Sequence, residues 1–211
     1  MRVGSPLVAR VALALGAAWL VAGPASRSMA AAPVAAPLAK QPQPVPSLSE
    51  SRRQMLAKLY ARLAATTNAQ EGVMIAARIQ TLQMRSGSAT SDLLLSRAMD
   101  VAAKHNTTLA LKLLDQVVVL DPSWPEGWNQ RATLRFQAND DAGSMRDIAR
   151  VLKLEPRHFG ALSGMAEILL RHGLDKDALV IDRRLLQIYP TMSGLKKTVD
   201  DLTLKVEGRP I

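Results

Sequence analysis

The sequence predicts an all-α chain, a solenoid of stacked antiparallel helix pairs closed by a C-terminal capping helix. Three observations carry this. Prolines recur 34 residues apart at Pro122, Pro156 and Pro190, closing the similar phrases Val-Leu-Asp-Pro, Lys-Leu-Glu-Pro and Gln-Ile-Tyr-Pro. A fixed period of that length marks units that bury their apolar faces only against their neighbours. Within each unit a turn falls at the same place, at His105-Asn106, Asn139-Asp140 and Gly173; Asn and Gly tolerate the left-handed conformation that ends a helix. Strand alternation is absent from the pattern. The apolar run Val117 to Leu120 occupies the slot of Val151-Leu152 and Leu185-Leu186, so register makes it a helix end.

Residues 1–30 read as a secretory signal peptide. Arg2 and Arg10 flank a start without acids, Val11 to Gly23 is an uncharged stretch of 13 residues, and Pro24 opens a run of small residues. The apolar part is short for a membrane span. Cleavage fits after Ala30 or after Ala25, and membrane contact is expected only through this leader if it stays uncleaved. The chain has no cysteine, which suits an oxidising compartment and excludes disulfides and thiolate chemistry. The expected destination is a periplasm or the exterior.

The formal charge is +9, from 27 basic and 18 acidic residues; without the leader's three arginines it is +6. Such a surface attracts acidic partners moderately. Nucleic acid is not expected as a partner, since seven aromatics offer few stacking platforms.

Residues 31–46 carry Pro33, Pro37, Pro42, Pro44 and Pro46 among alanines and glutamines, which suits an extended tether. Ser47 with Glu50 forms a capping-box pattern before Leu56, Leu59, Tyr60 and Leu63, and Asn68 with Glu71 repeats it before Ile75, Ile79 and Leu82. Residues 48–66 and 69–86 therefore read as a helical pair within 47–88. Further pairs follow at 92–104 and 107–120, at 125–138 and 141–154, and at 159–171 and 175–188. Pro125 stands at a first-turn position, where a missing N–H costs nothing. A last helix near 192–206 places Leu195, Val199, Leu202 and Val206 on one stripe, opposite Lys196, Lys197, Asp200, Asp201 and Lys205. One apolar and one charged face suit a solvating end cap.

In these residues the chain resembles the tetratricopeptide repeat (TPR) family, giving a TPR-type α-solenoid. With each proline at repeat position 32, position 8 holds Ala98, Ala132 and Ala166, and position 20 holds Ala110, Ser144 and Ala178. The family keeps both small because the two helices of a repeat touch there. Leu94, Trp128 and Leu162 share position 4; Val117, Val151 and Leu185 share position 27. The resemblance covers 89–190 as repeats 89–122, 123–156 and 157–190, with 191–211 as capping helix and tail. Arg97 and Arg131 at position 7, and Asp182 at position 24, depart from it. The pair at 47–88 does not fit, since its equivalent slots hold Arg62 and Met74. It is expected to be a divergent repeat or a cap packed on the first repeat.

The resemblance implies that first-helix positions 2, 5, 9 and 12 face a groove that binds a peptide or protein. These are Asp92, Leu95, Met99 and Ala102, then Glu126, Asn129, Thr133 and Phe136, then Gly160, Ser163, Glu167 and Leu170. Met99, Leu95, Phe136 and Leu170 would be apolar anchors, and Asn129 would bond a peptide backbone. The competing reading has the N-terminal pair or the last helix covering part of this face. Some relatives hold a partner's C-terminal carboxylate with basic groove residues; these slots contain no Lys or Arg. Arg97, Arg131 and Arg135 lie at packing slots, where they are expected to reach carboxylates such as Asp115 or Asp147.

Catalytic patterns are thin. His105, His158 and His172 fall in turns or at helix ends without zinc-helix spacing, and neither a phosphate loop nor a Gly-x-Ser-x-Gly elbow occurs. Asp140-Asp141, Asp175/Asp177 and Asp200-Asp201 read as helix-start or surface acids. No cofactor, metal or catalytic residue is expected. The expectation is a scaffold binding an unknown protein or peptide. The alternatives are an envelope factor that holds anionic polymer or lipid on a basic surface, or an assembly module; oligomeric state is left open.

Overall fold

The computed structural model describes residues 48–208; the leader, the tether, Ser47 and the last three residues lie outside them. Among the described residues the chain forms nine helices and no strand. They are α1 (Leu48–Ala65), α2 (Ala69–Gln83), α3 (Ala89–Ala103), α4 (Thr107–Leu120), α5 (Pro125–Gln137), α6 (Asp141–Leu154), α7 (Phe159–Arg171), α8 (Asp175–Ile188) and α9 (Leu195–Glu207). None is long and apolar enough to cross a membrane.

The 34-residue period is written into the backbone. His105, Asn139 and Gly173 all adopt positive φ, at 60°, 61° and 69°. After each, one amide reaches back to close the helix: Asn106 to the Val101 carbonyl, Asp140 to Arg135 and Leu174 to Leu169. This satisfies carbonyls that a helix end otherwise leaves bare. The next helix then starts on a side-chain cap where one is present. Asn106 accepts from the Leu109 amide and Asp140 from the Gly143 amide. Turns between repeats repeat as well: the amides of Trp124, His158 and Met192 bond the carbonyls of Asp121, Glu155 and Tyr189. Arg150 and Arg184, again 34 apart, donate to the carbonyls of Pro122 and Pro156.

Three helix ends depart from the sequence pattern. α2 stops at Gln83 rather than 86 because the Ser86 amide and hydroxyl turn to the Asp92 carboxylate. α3 opens at Ala89 rather than 92, capped by Ser88. α9 opens at Leu195 rather than 192, after Gly194 at φ 76°. The second capping box is only half formed. Asn68 accepts from the Glu71 amide, but the Glu71 carboxylate goes to Thr66 and Arg62, which hold it below the usual carboxylate range.

Within each repeat the two helices meet through the small residues. Ala98, Ala110, Ala132, Ser144, Ala166 and Ala178 are all buried, and the Ser144 hydroxyl donates to the Ala132 carbonyl at 2.9 Å. The first repeat centres on Leu95, Leu114, Val117 and Trp124. The second centres on Ala132, Ile148 and Val151. α9 buries Leu195, Val199 and Leu202 and turns outward the ion pairs Lys196–Asp200 and Lys197–Asp201.

The end of the N-terminal pair packs on the first repeat through Met84 and Trp124, and the pair also lies across the turns that follow all three repeats. The Trp124 indole donates to the Gln83 carbonyl at 2.7 Å. Tyr60 packs edge-on to Phe159, which packs edge-on to Tyr189, and Arg157 lies over the Tyr60 ring. Gly72 abuts Thr191 and Tyr189 so closely that a Cβ there would clash with the threonine hydroxyl. Tyr60, Leu63, Ile75 and Ile79 thus share one core with Leu162, Leu179, Leu185 and Leu195. The residues after Pro122, Pro156 and Pro190 form the ledge on which α1 and α2 rest.

Candidate functional site

The first helices α3 and α5 enclose a shallow cleft of about 150 Å³, lined by Met99, Ala102, Gln130, Thr133 and Gln137 above Ala98, Leu114 and Leu134. Helical spacing places Met99 and Ala102 on one side and Thr133 and Gln137 on the other. Met99 is 44% exposed, a polarisable anchor at the mouth. Gln130 and Gln137 were missed by the family slots, because they flank the positions that the pattern assigns to the groove.

The eight expected contact residues divide. Met99 and Thr133 come together in the cleft, although the Thr133 hydroxyl also bonds the Asn129 carbonyl of its own helix. Glu167 is exposed on α7. Leu170 is half-buried against the large core and Phe136 against the second-repeat core, with the Arg171 guanidinium 3.8 Å from the Phe136 ring centre. Arg171 and His172 are themselves held by Asp141.

Leu95 and Glu126 are not groove residues. Leu95 is 2% exposed in the first-repeat core, on which Met84 of the α2 end packs. Glu126 is 5% exposed and fully engaged. Its carboxylate accepts from Asn129 at 3.1 Å, from Gln130 at 2.6 Å and faces His158 Nε2 at 3.1 Å. His158 Nδ1 accepts from the Ala161 amide, which caps α7 and leaves Nε2 to carry the proton towards Glu126. Asn129 is thereby turned to Glu126, not to a peptide. The cluster is structural: it satisfies a buried carboxylate, as burial demands.

Two of the three arginines at packing slots, Arg131 and Arg135, reach carboxylates as expected. Arg131 forks onto Asp147 at 2.7 and 2.8 Å and reaches Asp115 at 2.8 Å, while Arg135 adds a bond to Asp147 at 2.9 Å. The Asp147 side chain is 3% exposed, so two guanidiniums neutralise one buried carboxylate between α5 and α6. Arg131 also stacks over Trp128. Arg97 stays exposed. Asp182 stands in the slot that Leu114 and Ile148 fill in the other repeats; burial pushes its carboxyl above the usual range.

No family model matches the chain. A TPR repeat-containing protein of Rhizobium etli is 39% identical over 160 residues, which cover 76% of this chain and 78% of that relative. Among solved structures, the TPR domain of Sgt2 from Aspergillus fumigatus superposes with a TM-score of 0.51 at 17% identity. That match covers 59% of this chain and 87% of the other, and concerns the fold alone.

Proposed function

The chain belongs to the tetratricopeptide repeat family, and on that premise we propose that it is a non-catalytic interaction scaffold. It binds a protein or peptide segment against the first-helix face between its first two repeats. The cleft at Met99, Ala102, Thr133 and Gln137 carries this reading. It offers an exposed thioether, room left by an alanine, and side-chain amide and hydroxyl groups at the rim, a mixture suited to a partner's apolar anchor and backbone. Affinity would rest on a few such anchors.

The test is affinity capture from an envelope extract with the full chain and with a Met99→Lys, Thr133→Lys double variant of unchanged melting behaviour. A protein retained by the parent and lost by the variant supports the reading. Equal capture by both abandons this face.

Compartment belongs to the same proposal. The leader pattern of residues 1–30 and the absence of cysteine support export to a periplasm or the exterior. N-terminal sequencing of the exported protein should begin at residue 26 or 31.

One observation favours the assembly alternative. Gly127 of α5 packs on Val117 of the preceding repeat, and Ala161 fills the same slot in α7, fully buried. In α3 that slot is Leu93, which is 52% exposed. A second copy stacked on this open face would cover it, and solution mass of the chain beside Leu93→Glu decides: a dimer dissociated by the variant supports assembly, and a monomeric parent removes it.

A further inference from the structure

A second cavity, of about 420 Å³, lies between the open end of the N-terminal pair and two of the turns that join repeats, reaching the start of α5 at Pro125 and Glu126. Leu56, Leu82, Pro125 and Leu154 form its apolar wall. Three arginines, Arg52, Arg53 and Arg85, line it from α1 and the end of α2. Arg52 is fixed in place, donating to the Arg85 carbonyl and packing beside Gly87. The guanidiniums of Arg53 and Arg85 have no hydrogen-bond or ion-pair partner among the described residues.

The carboxylates of the same cavity are already occupied. Glu155 holds Arg157 through both oxygens, Glu126 is saturated by Asn129, Gln130 and His158, and Asp121 accepts from the Ser123 hydroxyl. What the cavity has spare is therefore cationic donor capacity. Three carboxylates share the lining, so it is the unused donors of the Arg53 and Arg85 guanidiniums, rather than net charge, that would seat an anion through forked, charge-assisted bonds. The apolar wall opposite asks for an aliphatic group close to that anion.

We infer that this cavity is a second recognition site, for a peptide segment in which a carboxylate stands beside a bulky aliphatic side chain. The volume has room for a small number of side chains, lying near the lower end for ligand pockets. Its arginines come from α1 and the end of α2, which lie outside the repeat pattern, and it shares no lining residue with the cleft at Met99.

The experiment titrates the isotope-labelled full chain with acetyl-Gly-Leu-Glu-Glu-Leu-Gly-amide, beside the peptide with glutamine for glutamate. Amide shifts at Leu56, Leu82, Ser86 and Ser123 should saturate for the acidic peptide and stay small for the neutral one. Arg53→Ala and Arg85→Ala should each weaken binding about tenfold, as for loss of one charge-assisted contact. Both residues are exposed, so unchanged thermal melts should accompany the loss. Were a variant unstable, the acidic and neutral peptides on the parent chain would still decide. Equal binding of the two peptides, or a flat titration, overturns the site. Shifts confined to Met99 and Thr133 overturn it too, while leaving the first-helix reading intact.

Discussion

The Trp124 indole N–H donates to the Gln83 carbonyl at 2.7 Å, across 41 residues of chain, and both groups are buried. This bond fastens the end of α2 to the turn that follows Pro122. Trp124→Phe keeps an aromatic group but removes the donor and some buried volume, leaving a buried carbonyl bare. The expected cost is about 1–3 kcal/mol, read from urea unfolding, with faster hydrogen exchange at the end of α2.

Ala132 touches the second helix of its repeat, with its carbonyl bonded by the Ser144 hydroxyl. Ala132→Leu should wedge α5 from α6 and destabilise by about 1–3 kcal/mol. A thermal melt identical to the parent's would contradict the contact.

Asp147 is a buried anion held by Arg131 and Arg135. Asp147→Ala removes the carboxylate that two guanidiniums share, leaving Arg131 only Asp115, and should cost about 3–5 kcal/mol. Asp115 bonds Arg131 from a half-exposed position, so Asp115→Ala should cost under about 1 kcal/mol. Chemical denaturation of both variants side by side checks the ratio.

Asp182 is 4% exposed at a slot built for aliphatic side chains, and burial raises its carboxyl pKa. The unfolded chain titrates near the ordinary value of about 3.9. Between that value and the raised one the folded state binds more protons, so stability falls as pH rises through the window. Asp182→Leu should therefore stabilise at neutral pH by about 1–2 kcal/mol, with the gain shrinking on acidification below that window. Denaturation at pH 7 and at pH 3.5 shows whether it does.

The repeats were largely readable because local chemistry and period agree. Asn139 and Gly173 could be placed as left-handed turn residues from type and spacing, whereas in the first turn His105 takes that conformation and Asn106 caps α4; the six small residues could be assigned to helix contacts. The seat of the N-terminal pair was not readable. Tyr60, Leu63, Ile75 and Ile79 mark faces that need burial, but nothing in their spacing says that the cover is Phe159, Tyr189 and the turns between repeats. The groove slots failed in a similar way. Leu95 and Glu126 sit at positions that open outward in a bare array, and here Met84 packs on the core around Leu95 while His158 closes over Glu126. Such contacts join residues remote in sequence and leave no periodic trace.

An ordinary array of repeats behaves almost as a one-dimensional lattice: each unit interacts with its neighbours, and the ends fray first. The ledge beneath α1 and α2 changes that behaviour. Tyr60 meets Phe159, and Gly72 meets Thr191, so loosening the last repeat also strips the cover from the beginning of the fold. Melting should then be a single cooperative event rather than a stepwise unzipping. Closing those contacts also brings together segments separated by most of the folded chain, which slows folding relative to a purely local array. The N-terminal pair precedes the third repeat along the chain and has no complete seat until that repeat has folded.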